Sequence, residues 1–133
     1  MKRASLSDIG LPLAKAAADG LRALGWTVTA GRGAAELRVE LVDDLSAAAV
    51  ARGAWGTVIL IATAPDRLGL SELSLHVQKL AVAAAPAVRV NGVAVADGWE
   101  GKLADTIDWL GGAGMVTGQM ILLSEEPGPA IPF

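Results

Sequence analysis

Thr57-Val58-Ile59-Leu60-Ile61-Ala62 reads TVILIA, an unbroken apolar run rich in β-branched side chains. A strand covered by helices on both faces has no solvent side on which polar residues could alternate, so such a run predicts a central strand of a parallel sheet. Ala64-Pro65-Asp66 breaks it. Beyond the break, Leu70, Leu73, Val77, Leu80, Ala81 and Ala84 recur at helical spacing, predicting a long helix that stops at Pro86. Residues 88 to 96 read as the next strand. Leu103, Ile107 and Leu110 mark a further helix ending in Gly111-Gly112, and Met120 to Leu123 a last buried strand.

Working back from TVILIA, Asp43 or Asp44 can cap a short Ala-rich helix reaching about Arg52. Residues 36 to 42 alternate Leu37, Val39 and Leu41 with Arg38 and Glu40, which predicts an edge or half-exposed strand. Trp26-Thr27-Val28-Thr29-Ala30 reads as a short strand. Residues 9 to 24 form helix one, opened by Ser7-Asp8 and stopped by Gly25 in a left-handed conformation. Strand and helix alternate along the chain, so the class is α/β with a mostly parallel sheet. Residues 1 to 126 are expected to make a single domain, followed by a Pro/Gly-rich tail over 127 to 133.

Composition narrows the function classes. Of 133 residues, 53% are hydrophobic and 19% charged, a balance that favours a packed core over disorder. The net charge is −3 and no basic cluster follows Lys2-Arg3, so there is no electrostatic footprint for nucleic acid. Cysteine is absent, which excludes disulfides, thiolate catalysis and thiolate zinc sites. No apolar run reaches the ~20 residues of a membrane span and no leader pattern opens the chain, so a cytoplasmic protein without a membrane partner is expected.

Three segments carry a resemblance: SDIGLPLAKAAADGLRALGWTVTAGR (7 to 32), LAVAAAPAVRVNGVAVADG (80 to 98) and LADTIDWLGGAGMVTGQMILL (103 to 123). In this order they resemble the short-chain dehydrogenase/reductase superfamily, with its Rossmann-like three-layer α/β/α fold. The segments look like the family's first helix and following strand, the end of its active-site helix with the Arg-Val-Asn strand, and its last helix, Val-Thr-Gly-Gln turn and last strand. The resemblance implies NAD(P) as cofactor, bound at Ser7, Ile9 and Gly10, with Arg32 near a 2′-phosphate and Glu40 near the adenine.

Against that pattern the working parts are depleted. Aligned on Ile9-Gly10, the family's Gly-rich turn falls on Arg3-Ala4-Ser5-Leu6-Ser7-Asp8. Ala4 adds a Cβ and Asp8 a carboxylate where a pyrophosphate needs close backbone approach. Only Met1 and Lys2 then remain for a first strand. The family's Tyr-x-x-x-Lys falls near Asp66 and Leu70, and the chain has no tyrosine at all. Its catalytic Ser belongs to a strand that reads as deleted between Ala62 and Asp66, and its Asn-Asn-Ala-Gly turn becomes Ala62-Thr63-Ala64-Pro65. The sheet is therefore expected to be reduced, lacking the family's first and fifth strands.

No catalytic or metal-binding residue is expected on this reading. His76 is the only histidine and lacks a second ligand; Asp43-Asp44 and Glu125-Glu126 read as a helix cap and a solvated strand end. Of the tryptophans Trp26, Trp55, Trp99 and Trp109, the last is expected at a subunit contact, with core packing as the alternative. Val116, Gly118, Gln119 and Met120 join it, because the segments that survive are those through which the family packs subunits. The expectation is a catalytically incompetent relative without cofactor, acting by oligomerisation with itself or beside a full-length family enzyme. An NAD(P)-dependent oxidoreductase with an altered site and a non-catalytic dinucleotide sensor are the alternatives.

Overall fold

A computed structural model describes residues 2–6, 11–31, 35–41, 56–64 and 66–124. Six strands form one sheet: β1 (Arg3–Leu6), β2 (Thr27–Ala30), β3 (Leu37–Leu41), β4 (Thr57–Thr63), β5 (Arg89–Val95) and β6 (Met120–Leu123). Every pairing is parallel and the order is β2-β1-β3-β4-β5-β6. Helices α1 (Pro12–Ala23) and α3 (Leu103–Gly112) cover one face, and α2 (Arg67–Ala84) the other.

TVILIA behaves as its composition requires. Ile59 and Ile61 point into the core under α1 and α3 with Leu37, Val39, Val93 and Val95, while Val58, Leu60 and Ala62 point toward Val77 and Ala81 of α2. Both faces are covered, so an uncharged strand loses nothing by having no polar side. Helix α2 starts where Asp66 accepts the Gly69 N–H at 2.8 Å. α1 closes in a Schellman motif: Trp26 N–H bonds the Leu21 carbonyl and Gly25 N–H the Arg22 carbonyl, with Gly25 at φ 93°.

Four expectations change. A first strand exists: Arg3–Leu6 lies between β2 and β3, with Ala4 and Leu6 fully buried, so Ala4 is a core residue and not part of a phosphate turn. Leu37–Leu41 is not an edge. It pairs with β1 on one side and β4 on the other, and Arg38 is 1% exposed, because its charge is met inside the protein. α1 begins at Pro12 with Leu11 as its cap, later than residue 9, and no side chain caps it. Finally, the ladder is continuous. In the doubly wound order 3-2-1-4-5-6 the strand beside the first, opposite the second, is the fourth. β3 and β4 thus take the fourth and fifth places, and among the described residues no strand fills the outer third place, which leaves β2 at the edge.

The helix expected over 43 to 52, Trp55, Glu125-Glu126 and the tail over 127 to 133 lie outside the described residues. Among the described residues no helix is long and apolar enough to cross a membrane, and no three His, Cys, Asp or Glu side chains group to hold a metal ion.

Candidate functional site

Open parallel sheets place ligands at the carboxyl ends of their strands, outside the point where strand order reverses. Here that point lies between β1 and β3. A cleft of about 430 Å³ opens beside it, lined by Leu11, Pro12 and Leu13 at the start of α1, Leu41, Thr63 and Val95 at the ends of β3, β4 and β5, and Asp97 and Glu100 before α3. Position follows from the fold; chemistry follows from the side chains. Thr63 offers a hydroxyl. Asp97 and Glu100 offer carboxylates, and the other lining side chains are apolar.

The start of α1 faces this cleft with limited means. Pro12 occupies the first helical position and has no N–H, and the Lys15 N–H is already bonded to Leu11, which leaves the amides of Leu13 and Ala14. No acidic residue stands in the first turn, so the carboxylate influence comes from Asp97 and Glu100 across the cleft. Among the described residues, a dinucleotide pyrophosphate would meet two amides and two like charges there. Among the described residues no lysine, arginine or histidine lines the cleft, and the donor set does not fit that group.

The residues singled out from sequence separate into three sets. Ser7, Ile9, Gly10 and Arg32 lie outside the described residues. Glu40 is half-buried on β3, its carboxylate accepting from Arg38 Nε at 2.7 Å; the Arg38 guanidinium also donates to Ser5 Oγ at 3.2 Å and to the Gly31 carbonyl. Asp66 and Leu70, standing for the family's Tyr and Lys, are a helix cap and a half-buried helix residue. Because β4 takes the fifth place in the sheet, the strand thought deleted with its serine is present, and it ends in Thr63. Sequence reading missed Thr63, Asp97 and Glu100; their shared signal is a place just after consecutive parallel strands.

The Arg-Val-Asn and Val-Thr-Gly-Gln segments meet at the other end of the sheet. Asn91, fully buried, donates to the Val116 carbonyl at 3.0 Å and accepts the Gln119 N–H at 3.1 Å. Gly118, at φ 78°, donates to the Val90 carbonyl at 2.7 Å, and Thr117 Oγ1 accepts the Val90 N–H at 3.1 Å. Arg89 donates to the Ala113 carbonyl at 2.5 Å and to Thr57 Oγ1, closing the C-terminus of α3. The turn is thus a structural lock.

Beside that lock, Trp109 and Met115 are exposed, and with Leu110, Val116, Thr117, Gln119 and Ile121 they line an apolar hollow. Met120 is fully buried, packed over Gly92 between β5 and α2, so it offers no surface to a partner. Trp26 is buried and donates from Nε1 to Asp108 at 2.7 Å, while Lys2 pairs with the same carboxylate at 3.3 Å. The Asp108 carboxyl is held below the ordinary carboxylate range, chiefly by the Trp26 hydrogen bond, with desolvation opposing and Lys2 adding to it.

Residues 21–123 match the family model described as SDR-like, short chain dehydrogenase-like protein. No curated protein matches the chain. Among solved structures the fold is similar to FolM alternative dihydrofolate reductase 1 from Brucella canis, crystallised in complex with NADP. The TM-score is 0.55 at 14% identity, covering 98% of this chain and 98% of that one.

Proposed function

The chain belongs to the short chain dehydrogenase-like family, and we propose that within it this protein is a non-catalytic member that works by association. One observation carries the proposal: among the described residues the polar side chains of the cleft are Thr63, Asp97 and Glu100, in a chain without tyrosine. Hydride transfer to or from a carbonyl needs a positioned proton donor or acceptor, and the family's tyrosine has no counterpart in this sequence. The two carboxylates also oppose the phosphates of a dinucleotide. The exposed Trp109 and the hollow it shares with Val116 and Gln119 supply an apolar, aromatic surface of the kind that subunits bury. The partner class is a second copy or a complete enzyme of the same family.

A dinucleotide held without turnover is the second reading. It is favoured by the cleft's place at the α1 N-terminus and by the fold neighbour's having been crystallised in complex with NADP. Titration with NADH and NADPH, followed by tryptophan fluorescence and calorimetry, separates the two. The association reading expects no saturable binding below about 1 mM. Saturable binding without turnover selects the second reading, and saturable binding with turnover of a carbonyl substrate overturns both.

A further inference from the structure

A second hollow, of about 460 Å³, opens at the amino end of the sheet, where Trp26 and Trp109 line it with Glu36, Asp108, Lys2 and the end of α3. Lys2 Nζ lies there 3.3 Å from Asp108 Oδ1 and 5.5 Å from the centre of the Trp26 ring, so one ammonium is held by a carboxylate and an aromatic face at once. The lysine shows which kind of group the hollow holds, and it does not exhaust what surrounds it. Among the described lining residues two carboxylates meet one ammonium, and the C-terminus of α3 adds the partial negative charge of a helix end. Both carboxylates are half used. Asp108 accepts from the Trp26 indole and from Lys2 on Oδ1, Glu36 accepts the Arg3 N–H on Oε1, and among the described residues no donor meets Oδ2 or Oε2. Trp109, 60% exposed, offers most of its indole to water beside them.

We propose that this hollow is a binding site for an alkylguanidinium ion, which takes the place of Lys2. The lysine is a tethered occupant whose side chain is 56% exposed, and an exposed ion pair holds its partners weakly. A guanidinium is better matched to the same walls. It is planar and stacks on an indole; its paired N–H donors engage both oxygens of one carboxylate, Asp108 Oδ2 as well as Oδ1; and it is less strongly hydrated than an ammonium, so it loses less on leaving water. The alkyl stem covers apolar surface of Trp109. The Asp108 carboxyl, held below the ordinary carboxylate range chiefly by the Trp26 hydrogen bond, keeps its charge for such a ligand at neutral pH. No residue of the hollow lines the cleft at the carboxyl end, so the site stands apart from the question of dinucleotide binding.

Calorimetric titration of the full chain with N-ethylguanidinium chloride tests the site, with ethylurea as the uncharged isostere and sodium chloride matching the ionic strength. Saturable binding of ethylguanidinium with a Kd of about 1 to 10 mM is expected, with none of ethylurea and with NMR shifts at the Trp26 and Trp109 indole N–H groups. Asp108→Asn should weaken binding about tenfold and Trp109→Ala about threefold, whereas Lys2→Gln, which removes the tethered competitor, should tighten it about threefold. Circular dichroism and thermal melting show that each variant is folded, and Trp109→Ala, at an exposed position, carries the test if Asp108→Asn does not fold. N-acetylarginine methylamide distinguishes the two sources of such a group: binding at least as tight as that of ethylguanidinium assigns the site to an arginine presented by a protein, and weaker binding to a free small molecule. No binding up to about 50 mM, equal binding of ethylurea, or an affinity unchanged in both Asp108→Asn and Trp109→Ala overturns the site. An affinity unchanged in Lys2→Gln overturns the place given to Lys2 as its occupant.

Discussion

The amino end of the sheet, where Arg89 and Asn91 hold the turn before β6, differs in kind from the carboxyl end, where Thr63, Asp97 and Glu100 line a cleft. At the amino end, polar side chains close on one another and on backbone groups: Trp26 on Asp108, Lys2 on Asp108, Arg89 on the end of α3, Asn91 on two amides of one turn. At the carboxyl end, among the described residues, none of the three polar side chains of the cleft makes a side-chain hydrogen bond or ion pair. A buried polar group is costly unless satisfied, while an exposed one is nearly free. The two ends therefore divide stability from surface chemistry.

The largest test of that division is Asn91→Ala. It strands the Val116 carbonyl and the Gln119 N–H in the interior and leaves a void, an expected loss of about 3 kcal/mol. A fall in urea midpoint at unchanged slope is the readout. A loss below about 0.5 kcal/mol would mean that the turn holds itself, and the comparison would fail at its strongest point. Gly92→Ala comes next. Its Cβ would stand 2.6 Å from Met120 Sδ and 2.8 Å from Val77 Cγ2, and the expected cost of such overpacking is about 2 kcal/mol. Because the methionine can bend and the valine cannot, adding Met120→Ala should recover little, and full recovery would show that the sulfur alone sets the fit.

How much of this was legible in sequence depends on element length. TVILIA announces a central strand because six uncharged residues admit few other readings, and the four-residue spacing of Leu73, Val77 and Ala81 announces α2. Arg3–Leu6 announces nothing: four residues give one alternation, and Ser5 between Ala4 and Leu6 reads equally as a turn. The misplaced β3 has a different cause. Alternating charge normally marks a solvent face, but Arg38 and Glu40 pair with each other, and Ser5 and Gly31 accept from the same guanidinium, so a charged face is tolerated inside the sheet. The cleft was illegible for a third reason, since Leu13, Thr63, Val95 and Glu100 are far apart in sequence and meet only through strand order.

A smaller effect tests the amino end by charge instead of packing. The Asp108 carboxyl is depressed in the folded protein, so its contribution is fully present above the ordinary aspartate value of about 3.9 and fades as pH falls through the lower folded value. Asp108→Asn keeps an acceptor for Trp26 and removes the charge. The variant should be less stable than the wild type by about 1 kcal/mol at neutral pH, and the gap should close as pH falls below the ordinary aspartate value and through the lower folded one. A gap that persists once the carboxyl is protonated would assign the effect to geometry and not to the carboxylate.

The smallest effect belongs to the carboxyl end, and it asks most of the comparison. Asp97→Asn combined with Glu100→Gln should shift stability by less than about 0.5 kcal/mol, since neither side chain satisfies a buried partner. The same double variant bears on function. If the two carboxylates alone repel phosphate from the α1 N-terminus, removing them should make NADPH binding measurable by calorimetry where the wild type shows none. If binding stays absent, the cause lies deeper, in the proline that removes an amide from the first turn of α1 and in the short supply of donors behind it. Either result separates a cleft closed by charge, which two substitutions reopen, from one whose backbone has lost the means to hold an anion.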